Sequence, residues 1–219
     1  MTAPQVALEH ALRAVRIVPV LTIETVDQAV PLARALVDGG LPVLEVTLRT
    51  PAAAEAARAI MAELPQAIVG LGTLLAPSDV DLAVELGVRF IVSPGTTPAL
   101  LAAARQSALS FLPGIATASE AMAARVAGFT LLKFFPAEAA GGIAWLKGIA
   151  GPLPELRFCP TGGIAENNLA AYLALPNVIA AGGSWMVPKA EVAAAAWGRI
   201  AERARQARRL AGDQPTVAV

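Results

Sequence analysis

The chain holds one cysteine, Cys159, and one histidine, His10, in 219 residues. A single thiol cannot build a disulfide framework, and together with one imidazole it cannot complete a zinc site. Neither a Cys/His nor a Ser/His nucleophilic pair is available, and no metal or cofactor is expected. Aromatic residues are scarce at 5%, and neither sign of charge prevails, because 17 basic side chains balance 17 acidic ones. That balance gives no long-range pull toward nucleic acid or an anionic membrane, so any recognition of phosphate has to be local. Although 56% of residues are hydrophobic, charges interrupt every long apolar stretch before it could span a bilayer, and no transmembrane helix is expected. Glu9, His10, Arg13 and Arg16 stand where a secretory signal needs its apolar segment, so the expected location is cytoplasmic. The expected partners are small molecules and other copies of the same chain.

Lysine is also rare: there are three, against fourteen arginines. One of them, Lys133, lies inside the apolar run Gly128-Phe129-Thr130-Leu131-Leu132-Lys133-Phe134-Phe135-Pro136. Burial disfavours the charged amine, so a lysine in such a run is a candidate neutral nucleophile for imine chemistry. The plainer alternative is a strand-end lysine whose stem covers apolar surface while its head reaches water. Cys159, in Leu156-Arg157-Phe158-Cys159-Pro160, reads as a buried structural thiol, and His10 as an ordinary side chain.

Short β-branched runs recur, each followed by a turn and an alanine-rich helical segment. The strand candidates are 17–21, 43–47, 68–72, 90–92, 109–112, 130–133, 156–159 and 178–181, and the clear helix candidates are 26–38, 51–63, 78–86, 119–127 and 167–175. This alternation predicts parallel pairing through crossover helices, hence an α/β fold. Eight units of roughly 27 residues fit a compact (β/α)8 TIM barrel. The barrel is expected to fill residues 1–219 as one domain, with an additional N-terminal helix at 1–14 and a loose tail at 212–219. A doubly wound open sheet fits less well, since no Gly-x-Gly-x-x-Gly follows the first strand.

In a barrel the active site gathers at the C-terminal strand ends. The second strand runs into Glu45-Val46-Thr47-Leu48-Arg49, where alternation puts Glu45, Thr47 and Arg49 on one face. A structural ion pair is the competing reading there. The third strand ends in Gly70-Leu71-Gly72-Thr73, the fourth in Ser93-Pro94-Gly95-Thr96, and the sixth at Lys133 with Leu131 and Phe135 on its face. Thr161-Gly162-Gly163 and Gly182-Gly183-Ser184 close strands seven and eight with glycine pairs able to offer backbone N–H groups to an anion. An amine, a carboxylate, an arginine and an anion cradle on one rim suit imine-forming cleavage of a phosphorylated keto acid.

These motifs resemble the class I 2-keto-3-deoxy-6-phosphogluconate aldolases, whose members often also cleave 4-hydroxy-2-ketoglutarate. The resemblance rests on Glu45-Val46-Thr47-Leu48-Arg49-Thr50, Gly72-Thr73, Val92-Ser93-Pro94-Gly95, Leu132 to Ala137, Phe158 to Ile164 and Gly182-Gly183-Ser184-Trp185. It implies a (β/α)8 barrel, a homotrimer, and reversible cleavage to pyruvate and glyceraldehyde 3-phosphate in the Entner-Doudoroff pathway. It further implies Lys133 as the Schiff-base lysine, Glu45 as general acid/base, and Arg49 with Thr73 as the pyruvate carboxylate clamp. Pro94 and Phe135 would wall the pyruvate methyl, Thr161 would face the aldehyde-derived hydroxyl, and Gly162, Gly163 and Ser184 would hold the phosphate. One departure is Leu71, where the family more often has a small residue; alternation with Thr73 would put it beneath the pyruvate end. The alternatives are an aldolase for the 6-phosphogalactonate epimer, an isomerase using Lys133 as a base, and a non-catalytic symmetric scaffold built on Trp145, Trp197 and the C-terminal helix.

Overall fold

The computed structural model describes residues 3–212. The tail expected at 212–219 lies outside the described residues apart from Gly212. The strands are β1 (Ile17–Leu21), β2 (Val43–Thr47), β3 (Ile68–Gly72), β4 (Phe90–Val92), β5 (Ser110–Leu112), β6 (Gly114–Ile115), β7 (Leu131–Phe134), β8 (Arg157–Pro160) and β9 (Ala181–Gly183). All pairings are parallel: a six-stranded sheet ordered β5-β4-β3-β2-β1-β9 and a three-stranded one ordered β6-β7-β8. Only Pro113, which has no N–H to give a ladder, separates β5 from β6. Parallel bridges from Phe158 to Val178 and from Thr161 to Gly182 link β8 to the approach of β9. The result is an α/β fold with a curled parallel sheet.

Both faces of the sheet are covered, which explains the near-continuous apolar character of its strands. One face carries Val18, Val43, Phe90, Val92, Leu112, Leu131 and Cys159, packed with Leu8, Leu12 and Val15 of the N-terminal helix α1 (Ala3–Val15). The other face carries Leu44, Val46, Val69, Leu71, Ile91, Phe111 and Leu132 against the flanking helices. These are α2 (Val26–Asp38), α3 (Ala53–Glu63), α4 (Pro77–Leu86), α5 (Pro98–Gln106), α6 (Ala118–Val126), α7 (Gly142–Ile149), α8 (Leu169–Leu173), α9 (Lys189–Ala193) and α10 (Trp197–Ala211). Local chemistry sets their starts. Asp79 accepts from the Leu75 and Ala76 N–H groups at 2.7 and 3.0 Å, and Glu120 accepts from those of Ala116 and Thr117 at 2.8 and 2.9 Å.

Several expected elements shift. The last strand is β9 at 181–183 rather than 178–181, with Val178 making only an isolated bridge. Gly182 and Gly183 are therefore strand residues, paired with Val18 and Pro19, and not a turn. A Cβ on Gly182 would fall 2.3 Å from the Thr161 hydroxyl and one on Gly183 1.9 Å from the Trp185 ring, so close packing requires both glycines. Leu71 faces the helices, not the site, because Gly70 and Gly72 take the inward positions of β3. Thr73 leaves that alternation with φ 61. Helices α5, α7 and α9 were not among the clear helix candidates, being short or alanine- and glycine-rich. Trp145 stacks on Phe134 at 4.5 Å and meets Phe158 edge-on at 5.7 Å, which commits it to the chain's own core rather than to assembly. Among the described residues no helix is long and apolar enough to cross a membrane.

Candidate active site

Strand β2 delivers Glu45 and β7 delivers Lys133 to the face opposite the helices. Lys133 Nζ donates to Glu45 Oε1 at 3.0 Å and reaches Oε2 at 3.4 Å. The residues are only 4% and 3% exposed, so the sequence's amine in an apolar run is a buried ion pair. Removing two charges from water costs several kcal/mol per ion, and such a pair persists only with good geometry around it. Gly72 supplies part of that geometry: a Cβ there would lie 2.4 Å from Oε1, so the carboxylate rests directly over a glycine. The Phe135 ring lies 5.3 Å from Nζ, near enough to interact with a cation.

Cys159 is the register partner of Lys133 on β8. Burial pushes its thiol up to about 12, with Lys133 opposing that shift and Glu45 adding to it. A thiol held in its neutral form is a poor nucleophile, and at 3% exposure Cys159 is part of the packed core. Thr47, also buried, donates to the Leu21 carbonyl at 2.7 Å and ties the end of β2 to β1 beside the pair.

Above the ion pair opens a cavity of about 140 Å³ whose wall includes Arg49, Lys133, Phe135, Thr161, Gly162, Gly163 and Ser184. Residues from β2, β7, β8 and β9 thus converge on one space, as strand-end reasoning anticipates. Glu45 reaches the cavity through Lys133. Thr73 and Pro94 do not line it; they follow β3 and β4 on the neighbouring rim. Thr73 nonetheless holds a left-handed backbone, an outlier for a β-branched residue and of a kind that gathers at functional sites. Gly183 of the second glycine pair also lines the cavity, as do Val20 and Ile164, to which the sequence reading gave no role. Val20 was readable, since it alternates with the inward Val18 at the end of β1. A larger cavity of about 500 Å³ shares Val20, Arg49 and Ser184 and leads toward α2 and α9. Gly162 and Gly163 have φ of 94° and 82°, a succession that only glycine adopts freely. Among the described residues no group of three or more His, Cys, Asp or Glu could hold a metal ion.

A dry amine hydrogen-bonded to a carboxylate, with a guanidinium at the rim, has the parts for nucleophilic attack on a carbonyl and for moving the protons that attack requires. The family model for KDPG and KHG aldolase matches residues 8–203, which include every one of these side chains. The chain belongs to the KDPG and KHG aldolase family. Within it, the KHG/KDPG aldolase of Escherichia coli (strain K12) is 49% identical over 191 residues, 87% of this chain and 90% of that protein. The KDPG aldolase of Legionella pneumophila, solved with pyruvate captured at low pH as a covalent carbinolamine intermediate, superposes with a TM-score of 0.89. It is 42% identical, over 94% of this chain and 98% of its own. The 2-keto-3-deoxy-6-phosphogluconate aldolase of Zymomonas mobilis ZM4, solved with 3-phosphoglycerate, gives 0.88 at 41% identity, over 98% of this chain and all of its own. This KDPG and KHG aldolase family member therefore shares both sequence and fold with lyases across nearly its whole length.

Proposed function

We propose that the chain is a class I aldolase that reversibly cleaves 2-keto-3-deoxy-6-phosphogluconate to pyruvate and glyceraldehyde 3-phosphate, the Entner-Doudoroff reaction. On this reading it also cleaves 4-hydroxy-2-ketoglutarate to pyruvate and glyoxylate. The observation that carries the reading is the buried Lys133–Glu45 pair, 3.0 Å apart at the floor of a cavity rimmed by Arg49. Glu45 takes a proton from Nζ, and the freed amine attacks the C2 carbonyl to give a carbinolamine. Glu45 returns the proton as water leaves, which produces the protonated imine. That imine draws the electrons of the C3–C4 bond as the C4 hydroxyl loses its proton, so the aldehyde departs and an enamine remains. Protonation of the enamine and hydrolysis release pyruvate and restore Lys133.

In this scheme Arg49 and Thr73 clamp the keto-acid carboxylate, for which the planar guanidinium is suited. Pro94 and Phe135 wall the methyl end, Thr161 faces the C4 hydroxyl, and Gly162, Gly163 and Ser184 receive the phosphate. We further read the sheet as an eight-stranded (β/α)8 barrel in a single domain, plugged at one end by α1. The continuity of β5 with β6 across Pro113 and the bridges between β8 and β9 support this. A homotrimer fits the apolar side chains left exposed on α6, Met122 and Val126. Because sugar phosphates do not cross membranes unaided, the proposed substrate suits a cytoplasmic enzyme.

The deciding experiment is borohydride reduction with pyruvate followed by peptide mapping. A pyruvate adduct on Lys133 is expected. An adduct on Lys147 or Lys189, or none, would sink the imine mechanism and favour Lys133 as a simple base. Retro-aldol assays with the gluconate substrate, its galactonate epimer and 4-hydroxy-2-ketoglutarate then rank the substrates.

A further inference from the structure

The turn Thr161-Gly162-Gly163-Ile164 walls the cavity beyond β8, and each of its first three carbonyls is tied to a group that does not line that cavity. Thr161 O accepts from the Ala137 N–H at 2.8 Å and Gly162 O from the Glu138 N–H at 3.1 Å. Gly163 O accepts from Asn168 Nδ2 at 2.9 Å. In a trans peptide the N–H points opposite to the C=O, so fixing these three carbonyls aims the N–H groups of Gly162, Gly163 and Ile164. Of these, the Gly163 and Ile164 N–H groups donate to no protein acceptor among the described residues, while the parallel bridge between Thr161 and Gly182 turns the Gly162 N–H toward the Gly182 carbonyl. Successive backbone donors with positive φ form a concave nest for an anion.

Two of the three ties are main chain to main chain; the third is the Asn168 side chain. Its amide is used at both ends, since Oδ1 also accepts from the Ala165 N–H at 2.9 Å. The turn is seated on its other side against Glu138, whose Cγ lies 2.5 Å from where a Gly163 Cβ would be, and whose carboxylate accepts from the Tyr172 hydroxyl. We infer that Asn168 is a positioning residue for the distal anion of the substrate: by holding the Gly163 carbonyl it keeps the Ile164 N–H, and the turn with it, aimed into the cavity. This rests on the aldolase reading above. Asn168 does not line the cavity, so it acts through the peptide plane it holds.

The test uses the full chain with Asn168→Asp and Asn168→Ala. The first is isosteric and keeps the bond to Ala165 but loses the donor to Gly163. The second loses both without adding charge, and at a half-buried position it leaves no buried void. In both variants KM for 2-keto-3-deoxy-6-phosphogluconate and the inhibition constant of inorganic phosphate should rise about tenfold, the factor that about 1.4 kcal/mol carries. Turnover, KM for the unphosphorylated 4-hydroxy-2-ketoglutarate and borohydride trapping of pyruvate should stay within about twofold, because the imine end is untouched. Equal KM rises for both substrates would reduce Asn168 to a general structural part and overturn the inference. So would unchanged KM and phosphate inhibition with trapping intact. Absent trapping in the parent chain would instead overturn the aldolase reading, and this inference with it.

Discussion

Lys133 and Glu45 stand 88 positions apart in the chain and are hydrogen-bonded to each other in a place almost closed to water. A low local dielectric strengthens that contact and raises the cost of leaving either partner alone. In the proposed mechanism the carboxylate's role is proton transfer more than binding. Glu45→Gln, which keeps the shape, should therefore lower turnover by about 10²- to 10⁴-fold, the range of general acid–base catalysis, while some pyruvate trapping on Lys133 survives. Steady-state rates beside a trapping time course check this, and loss of folding in place of loss of turnover would return the pair to a purely structural role. Lys133 was conspicuous in the sequence because an amine in an apolar run is rare. Its counter-charge was readable only as a candidate, since strand alternation gives a side chain's face but not its distance from a residue on another strand.

At the scale of elements, glycines decide how closely the strands and their side chains approach. On β3 two of the inward positions are glycine: Gly72 lies under Glu45, and Gly70 faces the Phe90 ring, 2.3 Å from where a Cβ would sit. Gly70→Ala must therefore push on an aromatic ring in a closed core, and overpacking of that kind costs about 1–3 kcal/mol. Thermal or urea unfolding should show that loss, whereas Gly148→Ala in α7, where a Cβ meets nothing within 4 Å, should be neutral or slightly stabilising. The reading of Leu71 as a pocket residue failed at this scale. Alternation extended back from Thr73 puts Leu71 on the pocket face, but the left-handed backbone at Thr73 breaks the period-two rule. The same limit explains β9. Gly182-Gly183 resembles a turn by composition, yet the neighbouring Thr161 and Trp185 side chains need the room that two strand glycines leave.

Across the whole molecule, apolar exposure is uneven. Val126 is 81% and Met122 56% exposed on α6, beside a groove shared with Pro98 and Leu101 of α5. Large side chains in an apolar groove favour burial against a second copy. A charge in that patch should weaken self-association by at least about tenfold, because an unpaired charge is costly to bury. Sedimentation of Val126→Glu at several concentrations checks this; an unchanged assembly, or a parent chain that is already monomeric, would remove the α5–α6 face from the interface. By itself the sequence determined the alternation of strands and helices, the amine, the carboxylate, the arginine and the Gly162-Gly163 pair, because these follow from residue type and short-range periodicity. Only the tertiary structure decided that Lys133 and Glu45 touch, that Leu71 turns away from the site, and that Asn168 clasps the Gly163 carbonyl. Each depends on sheet curvature, backbone dihedrals and hydrogen bonds between separate elements, which no local pattern encodes.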